Sequence, residues 1–149
     1  MGQYHMVYNK TKKECLNAHK FGSGIKLLEF TSSYRMMSGF CLLLANSNGR
    51  GGGDFNIDGK YSPKTGKETF TNKQKQQIRM LNEIAGRWAG DEIVIQGDYA
   101  NENDKAFIPK DEEKEYTDIS EQVNDVLSIK KEYFEEETSV LRPDLIVRG

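Results

Sequence analysis

The residues most able to do chemistry are few. Arg50-Gly51-Gly52-Gly53-Asp54 sets one guanidinium and one carboxylate around a run of bare glycine backbone. Unhindered N–H groups in such a run can approach an anion, and an arginine can add a bidentate contact to a phosphate. The spacing is not that of a P-loop, and Gly49, Gly51 and Asp54 fill the three slots where a dinucleotide fingerprint needs glycine. A loop with no ligand explains the same residues. Two Gly-Asp pairs, Gly90-Asp91 and Gly97-Asp98, bracket an apolar run. Asp98 acting with Asp91 or Asp54 could hold a cation or work as an acid–base pair. Aspartate after glycine is also ordinary turn chemistry. Trp88, the one tryptophan, is either a core anchor or a platform on which a base or aromatic ligand stacks. Tyr99, next to Asp98, completes the candidate binding set of Arg50, Gly51, Gly52, Gly53, Asp54, Trp88, Asp91 and Asp98.

Metal and nucleophile chemistry have little to work with. A zinc site would have to gather Cys15, Cys41, His5 and His19, with no CxxC or HExxH. Cys15 and His19 are spaced i, i+4, which faces one metal only on a helix, and their neighbours read as a short strand leading into a turn. His19 could act as a general base, but no serine or cysteine stands in a nucleophile-elbow motif. No cofactor and no metal are expected. The two cysteines are expected to be free, buried thiols in a reducing compartment.

Charge narrows the partners. The 149 residues carry 21 Lys/Arg and 23 Asp/Glu, a net charge of −2. Residues 1–100 hold 14 basic and 9 acidic side chains (+5), whereas residues 101–149 hold 7 and 14 (−7). The acidic runs 111–115 and 135–137 repel nucleic acid and attract basic partners, or are simply solvated surface. Lys10, Lys12, Lys13 and Lys20 leave room for a local basic patch. Direct nucleic-acid binding is not expected. The longest apolar run, residues 40–45, is far short of a membrane span. No leader is expected either, because Met1–His5 runs straight into a strand-like pattern.

The elements that would position these residues follow from periodicity. Residues 3–8 alternate and read as a strand, residues 9–12 as a turn, and residues 14–16 as the returning strand of a hairpin. Residues 19–24 read as a loop, and residues 25–30 fit strand or helix equally. Met37, Phe40, Cys41 and Leu44 share a face of a helix over 34–46. Residues 55–70 read as an exposed excursion. Thr71 and Gln74 have capping-box spacing ahead of a helix over 72–85, which Gly86 closes. Ile93, Val94 and Ile95 are consecutive β-branched residues and predict a central strand within 92–99. Residues 106–108 and 145–147 read as further strands. Asp118 is placed to cap a third helix whose apolar face is Ile119, Val123, Val126 and Leu127. The expectation is one α+β domain over 1–149, with a mixed or antiparallel sheet and about three helices packed mainly on one face.

Three segments carry a resemblance: Met1-Gly2-Gln3-Tyr4, His19 through Glu29, and Trp88-Ala89-Gly90-Asp91 through Gly97-Asp98-Tyr99-Ala100. Together they resemble a family of small uncharacterised proteins of bacteriophages, prophages and some bacteria. That resemblance implies expression in a bacterial cytoplasm from a mobile element. It supplies no catalytic residue and no substrate. The function it favours is counter-defence by stoichiometric binding, either of a host defence protein or of a small anionic, nucleotide-like signal. The alternative is a small enzyme acting on a nucleotide-like ligand through the glycine run and Asp98.

Overall fold

The structure is a computed structural model, and it describes residues 2–47 and 72–128. The fold is α+β. Strand β1 (His5–Asn9) turns back into β2 (Glu14–Leu16), giving the expected hairpin with Val7 opposite Leu16 and Tyr8 opposite Cys15. Strand β3 (Ile93–Gly97) lies antiparallel on the other side of β1, pairing His5 with Gly97 and Tyr8 with Val94. A two-residue strand, β4 (Thr117–Asp118), runs parallel to β2. The order β3-β1-β2-β4 makes a mixed four-stranded sheet.

That order corrects the central placement of residues 93–95: among the described residues β3 is an edge strand. Consecutive β-branched residues point alternately to the two faces. Val94 packs against Tyr8, Cys15 and Ile108, while Ile95, on the opposite face, is 40% exposed. A β-branched run therefore reports a pleated surface and not a position within the sheet.

Five helices complete the described chain: α1 (Leu27–Thr31), α2 (Tyr34–Leu44), α3 (Asn72–Ile84), α4 (Lys110–Glu113) and α5 (Ser120–Leu127). The ambiguous segment 25–30 does both jobs. Ile25 accepts a hydrogen bond from the His5 N–H at 2.8 Å, Lys26 forms a β-bridge with Tyr4, and the chain then enters α1. Glu29 reaches back to the Lys26 N–H at 3.0 Å, meeting one of the donors a helix start leaves open. A 3₁₀ turn, Ala18–Phe21, occupies part of the expected 19–24 loop. Residues 106–108 are not a strand. Ala106 stands at φ +67°, which breaks an extended run, and the Gln96 side chain takes the place of a neighbouring strand by bonding both backbone groups of Ile108. The expected capping box, the 55–70 excursion and the 145–147 strand lie outside the described residues or side chains.

The described residues group into two compact units, one formed within residues 2–38 and 90–124, the other within residues 39–47, 72–89 and 125–128. The first contains the sheet, with Val7, Leu16, Phe30, Met36, Ile108 and Val123 almost wholly buried. The second buries Leu42, Leu43, Leu81, Ile84, Trp88 and Val126. Its logic lies in how α2 ends. The last carbonyls of a helix lack intrahelical partners; here Leu42 accepts from the Gly86 N–H at 2.9 Å and Leu43 from the Trp88 N–H at 2.8 Å. Gly86 makes that return possible at φ +75°. A Cβ there would stand 2.8 Å from the Ala45 carbonyl oxygen. Gly86→Ala is accordingly expected to lose about 1–2 kcal/mol from left-handed strain, with some addition from the clash. Denaturant unfolding checks this, and a variant within about 0.5 kcal/mol of the parent, the ordinary scatter of surface changes, would contradict it.

Candidate functional site

The first unit contains a pocket of about 390 Å³ at the C-terminal end of β3. Its lining includes Gln96, which has only 8% of its surface exposed. The Gln96 amide donates to the Ile108 carbonyl at 2.8 Å and to the Glu113 carboxylate at 2.9 Å, and its oxygen accepts from the Ile108 N–H at 2.8 Å. The Glu113 carboxylate also stands near the Tyr8 phenol. Burial pushes the Tyr8 phenol well above its ordinary pKa, and the Glu113 charge adds to the shift, so Tyr8 stays protonated. Tyr8 is held in turn by an edge-on contact with Tyr116, their ring centres 5.2 Å apart.

Apolar walls surround this polar floor, formed by Met6, Ile25, Phe107 and Ile108. At the rim stand Asp98, Glu102 and Lys110. Three carboxylates (Asp98, Glu102, Glu113) against one ammonium (Lys110) give the lining a formal charge of −2. Asp98 is fixed by the edge of the sheet: its carboxylate accepts from the Tyr4 N–H at 2.9 Å, and its own N–H donates to the Tyr4 carbonyl at 2.9 Å.

The residues singled out from sequence fare differently. Asp98 lines the pocket. Tyr99, 58% exposed, lies instead along a smaller depression of about 320 Å³ with Gln3, Ile95 and Lys105. Asp91 does not join Asp98, because the two stand at opposite ends of β3, separated by roughly 20 Å of strand rise. Asp91 has a structural position. It accepts from the Asn9 amide at 2.8 Å and pairs with the Lys12 ammonium at 2.5 Å. These contacts fasten the β1–β2 turn to the start of β3, assisted by the Lys10 N–H to the Glu92 carbonyl at 2.9 Å. Trp88 has no exposed surface, which corrects the stacking-platform reading: a ring without access cannot meet a ligand. Arg50, Gly51, Gly52, Gly53 and Asp54 lie outside the described residues.

The lysines that left room for a basic patch are each matched by a carboxylate. Lys10 faces Glu92 at 3.8 Å, Lys12 faces Asp91, Lys13 faces Glu115 at 3.6 Å and Lys20 faces Asp118 at 2.9 Å. Asp118 also accepts from the Ser120 N–H at 2.9 Å, at the start of α5 as expected of a cap. Burial would raise its carboxyl, but the hydrogen bonds from Ser120 and Lys20 outweigh that and hold it below the ordinary value. Both thiols are free, but only Cys15 is buried and Cys41 is exposed. Burial, with the Asp118 charge, pushes the Cys15 thiol up to about 11. Cys15 sits in β2 and His19 in the 3₁₀ turn, so the helical i, i+4 metal geometry does not form.

Asp91 gives a pH-dependent expectation. Hydrogen bonds from Lys12, then from Asn9, hold its carboxyl below the ordinary value. A depressed folded pKa stabilises above the unfolded pKa, and that contribution is lost as pH falls through the folded value. Asp91→Asn is expected to be less stable than the parent at pH 7, with the gap closing below about pH 4, the ordinary aspartate range. Denaturation midpoints from pH 7 to pH 2 check this, and a gap that persists undiminished at pH 2 would contradict it.

Sequence reasoning missed Tyr8, Gln96 and Glu113. Gln96 carried a signal, being the one polar side chain inside the 93–97 strand. Glu113 was hidden in an acidic run that reads as solvated surface. Compared with known proteins, the chain matches no family model, no curated protein and no solved structure. No helix among the described residues is long and apolar enough to cross a membrane.

Proposed function

We propose that the protein acts by stoichiometric binding of a host protein in the bacterial cytoplasm, as a small phage-derived counter-defence protein. The observation that carries this reading is the acidic, apolar-walled pocket at the end of β3, whose lining bears a formal charge of −2. Such a lining attracts basic groups on a protein surface and repels phosphate. It therefore favours a protein partner over an anionic, nucleotide-like signal at this pocket. The −7 carried by residues 101–149 acts in the same direction over a longer range. The resemblance of the Met1–Tyr4, His19–Glu29 and Trp88–Ala100 segments to small phage proteins supports the biological setting. The enzyme reading is weaker, because Asp98 is committed to the Tyr4 N–H and Asp91 stands at the far end of the strand.

Titrating the protein against a partner captured from a bacterial lysate tests the reading. Loss of the partner's activity should saturate near one equivalent, and complex formation should weaken with added salt. A full effect at a small fraction of an equivalent, growing with time, would mean turnover and would overturn it.

A further inference from the structure

We propose that the pocket at the end of β3 receives a basic side chain, lysine or arginine, of the bound partner. This rests on the stoichiometric-binding reading and adds the chemistry of the group that is held. The cavity, about 390 Å³, falls in the range of sites that enclose a small organic group. Its composition is that of a sleeve for an amphipathic cation. Met6, Ile25, Phe107 and Ile108 supply walls for an aliphatic stem, and Asp98, Glu102 and Glu113 supply the countercharge. Basic side chains bury their stems and carry the charge at the tip, so one chain can satisfy both requirements. Tyr4 and Tyr8 also line the pocket, and aromatic faces attract cations.

Glu113 is the best-prepared acceptor. Gln96 fixes one carboxylate oxygen at 2.9 Å. Two carboxylate oxygens offer about four acceptor sites, so capacity is left for a further donor. Lys110 at the rim offsets one of the three negative charges and leaves the others uncompensated within the lining. A phosphate or carboxylate ligand would meet the same three carboxylates with the wrong sign.

The test is an amide NMR titration of the full chain with N-acetyl-arginine amide and N-acetyl-lysine amide. N-acetyl-citrulline amide and N-acetyl-norleucine amide serve as neutral counterparts of matching shape. The basic probes should shift the Gln96 side-chain amide and the Ile108 and Asp98 backbone amides, with the neutral probes at least about tenfold weaker. Glu113→Gln keeps an acceptor oxygen for Gln96 and should weaken the basic probes about tenfold, the scale of one charge-assisted hydrogen bond. Asp111→Asn, exposed on α4 and outside the lining, should leave them unchanged. Neutral probes binding as well as basic ones would overturn the proposal, as would shifts that avoid Gln96 and Ile108. If these probes fail while the partner still saturates at one equivalent, the pocket assignment falls and the binding reading stands. If the probes bind but the partner's activity is lost at a small fraction of an equivalent, the pocket assignment stands and the stoichiometric reading falls.

Discussion

Trp88→Ala is expected to destabilise the protein by about 3–5 kcal/mol, the cost of emptying a buried aromatic site. The side chain has no exposed surface, and Leu42, Leu43, Leu81 and Ile84 of the same unit are buried with it. The backbone at Trp88 is also fixed, its N–H closing the end of α2 through the Leu43 carbonyl at 2.8 Å. Domains of this size are stable by only about 5–15 kcal/mol in total, so the loss is a large fraction. Trp88→Phe keeps most of the apolar volume and should cost distinctly less than Trp88→Ala. Denaturant unfolding followed by circular dichroism checks both. A Trp88→Ala variant of near-parental stability that fails to bind a partner would restore the ligand-stacking role that burial rules out.

Gln96→Ala is expected to cost about 2–4 kcal/mol and to loosen the pocket. The amide satisfies both the N–H and the carbonyl of Ile108, and it steadies Glu113. Each buried polar group left without a partner costs about 1–3 kcal/mol. Ile108 itself has no exposed surface, so water does not readily replace the lost bonds. Gln96→Met fills the same space without the hydrogen bonds and should be nearly as damaging, which separates lost bonding from lost volume. Hydrogen exchange at the Ile108 amide reports the effect directly. Faster exchange in both variants is expected, and unchanged protection would contradict the role assigned to Gln96.

Much of the fold was legible because local rules and packing agreed. The hairpin over 5–16 alternates β-formers around a polar turn. The helices at 34–44 and 72–84 carry apolar residues at helical spacing, and Gly86 follows the second in a left-handed conformation that glycine adopts without the strain other residues meet. The site was less legible because it depends on residues far apart in sequence. Gln96 and Glu113 meet only after residues 106–108 fold back along β3, and nothing in the pattern of that segment announces the Ala106 turn. Asp91 and Asp98 looked alike as Gly-Asp pairs, yet a five-residue strand separates them and gives them different partners. The lysine cluster looked like a patch because the carboxylates that neutralise it come from residues 91–118. Charge patterning along a chain cannot show pairings that only the sheet creates.

The most direct measurement of the pocket's role compares partner capture by two variants of equal charge. Asp98→Asn with Glu113→Gln removes two charges from the pocket while keeping acceptor oxygens for Tyr4 and Gln96. Asp111→Asn with Glu112→Gln removes two charges from the exposed side of α4. With both variants shown to be folded, the pocket variant is expected to retain less than about a tenth of the parental capture, a difference of about 1.4 kcal/mol or more. The α4 variant should capture the same partner at close to the parental level. Equal capture by the two variants would contradict the pocket as the binding site.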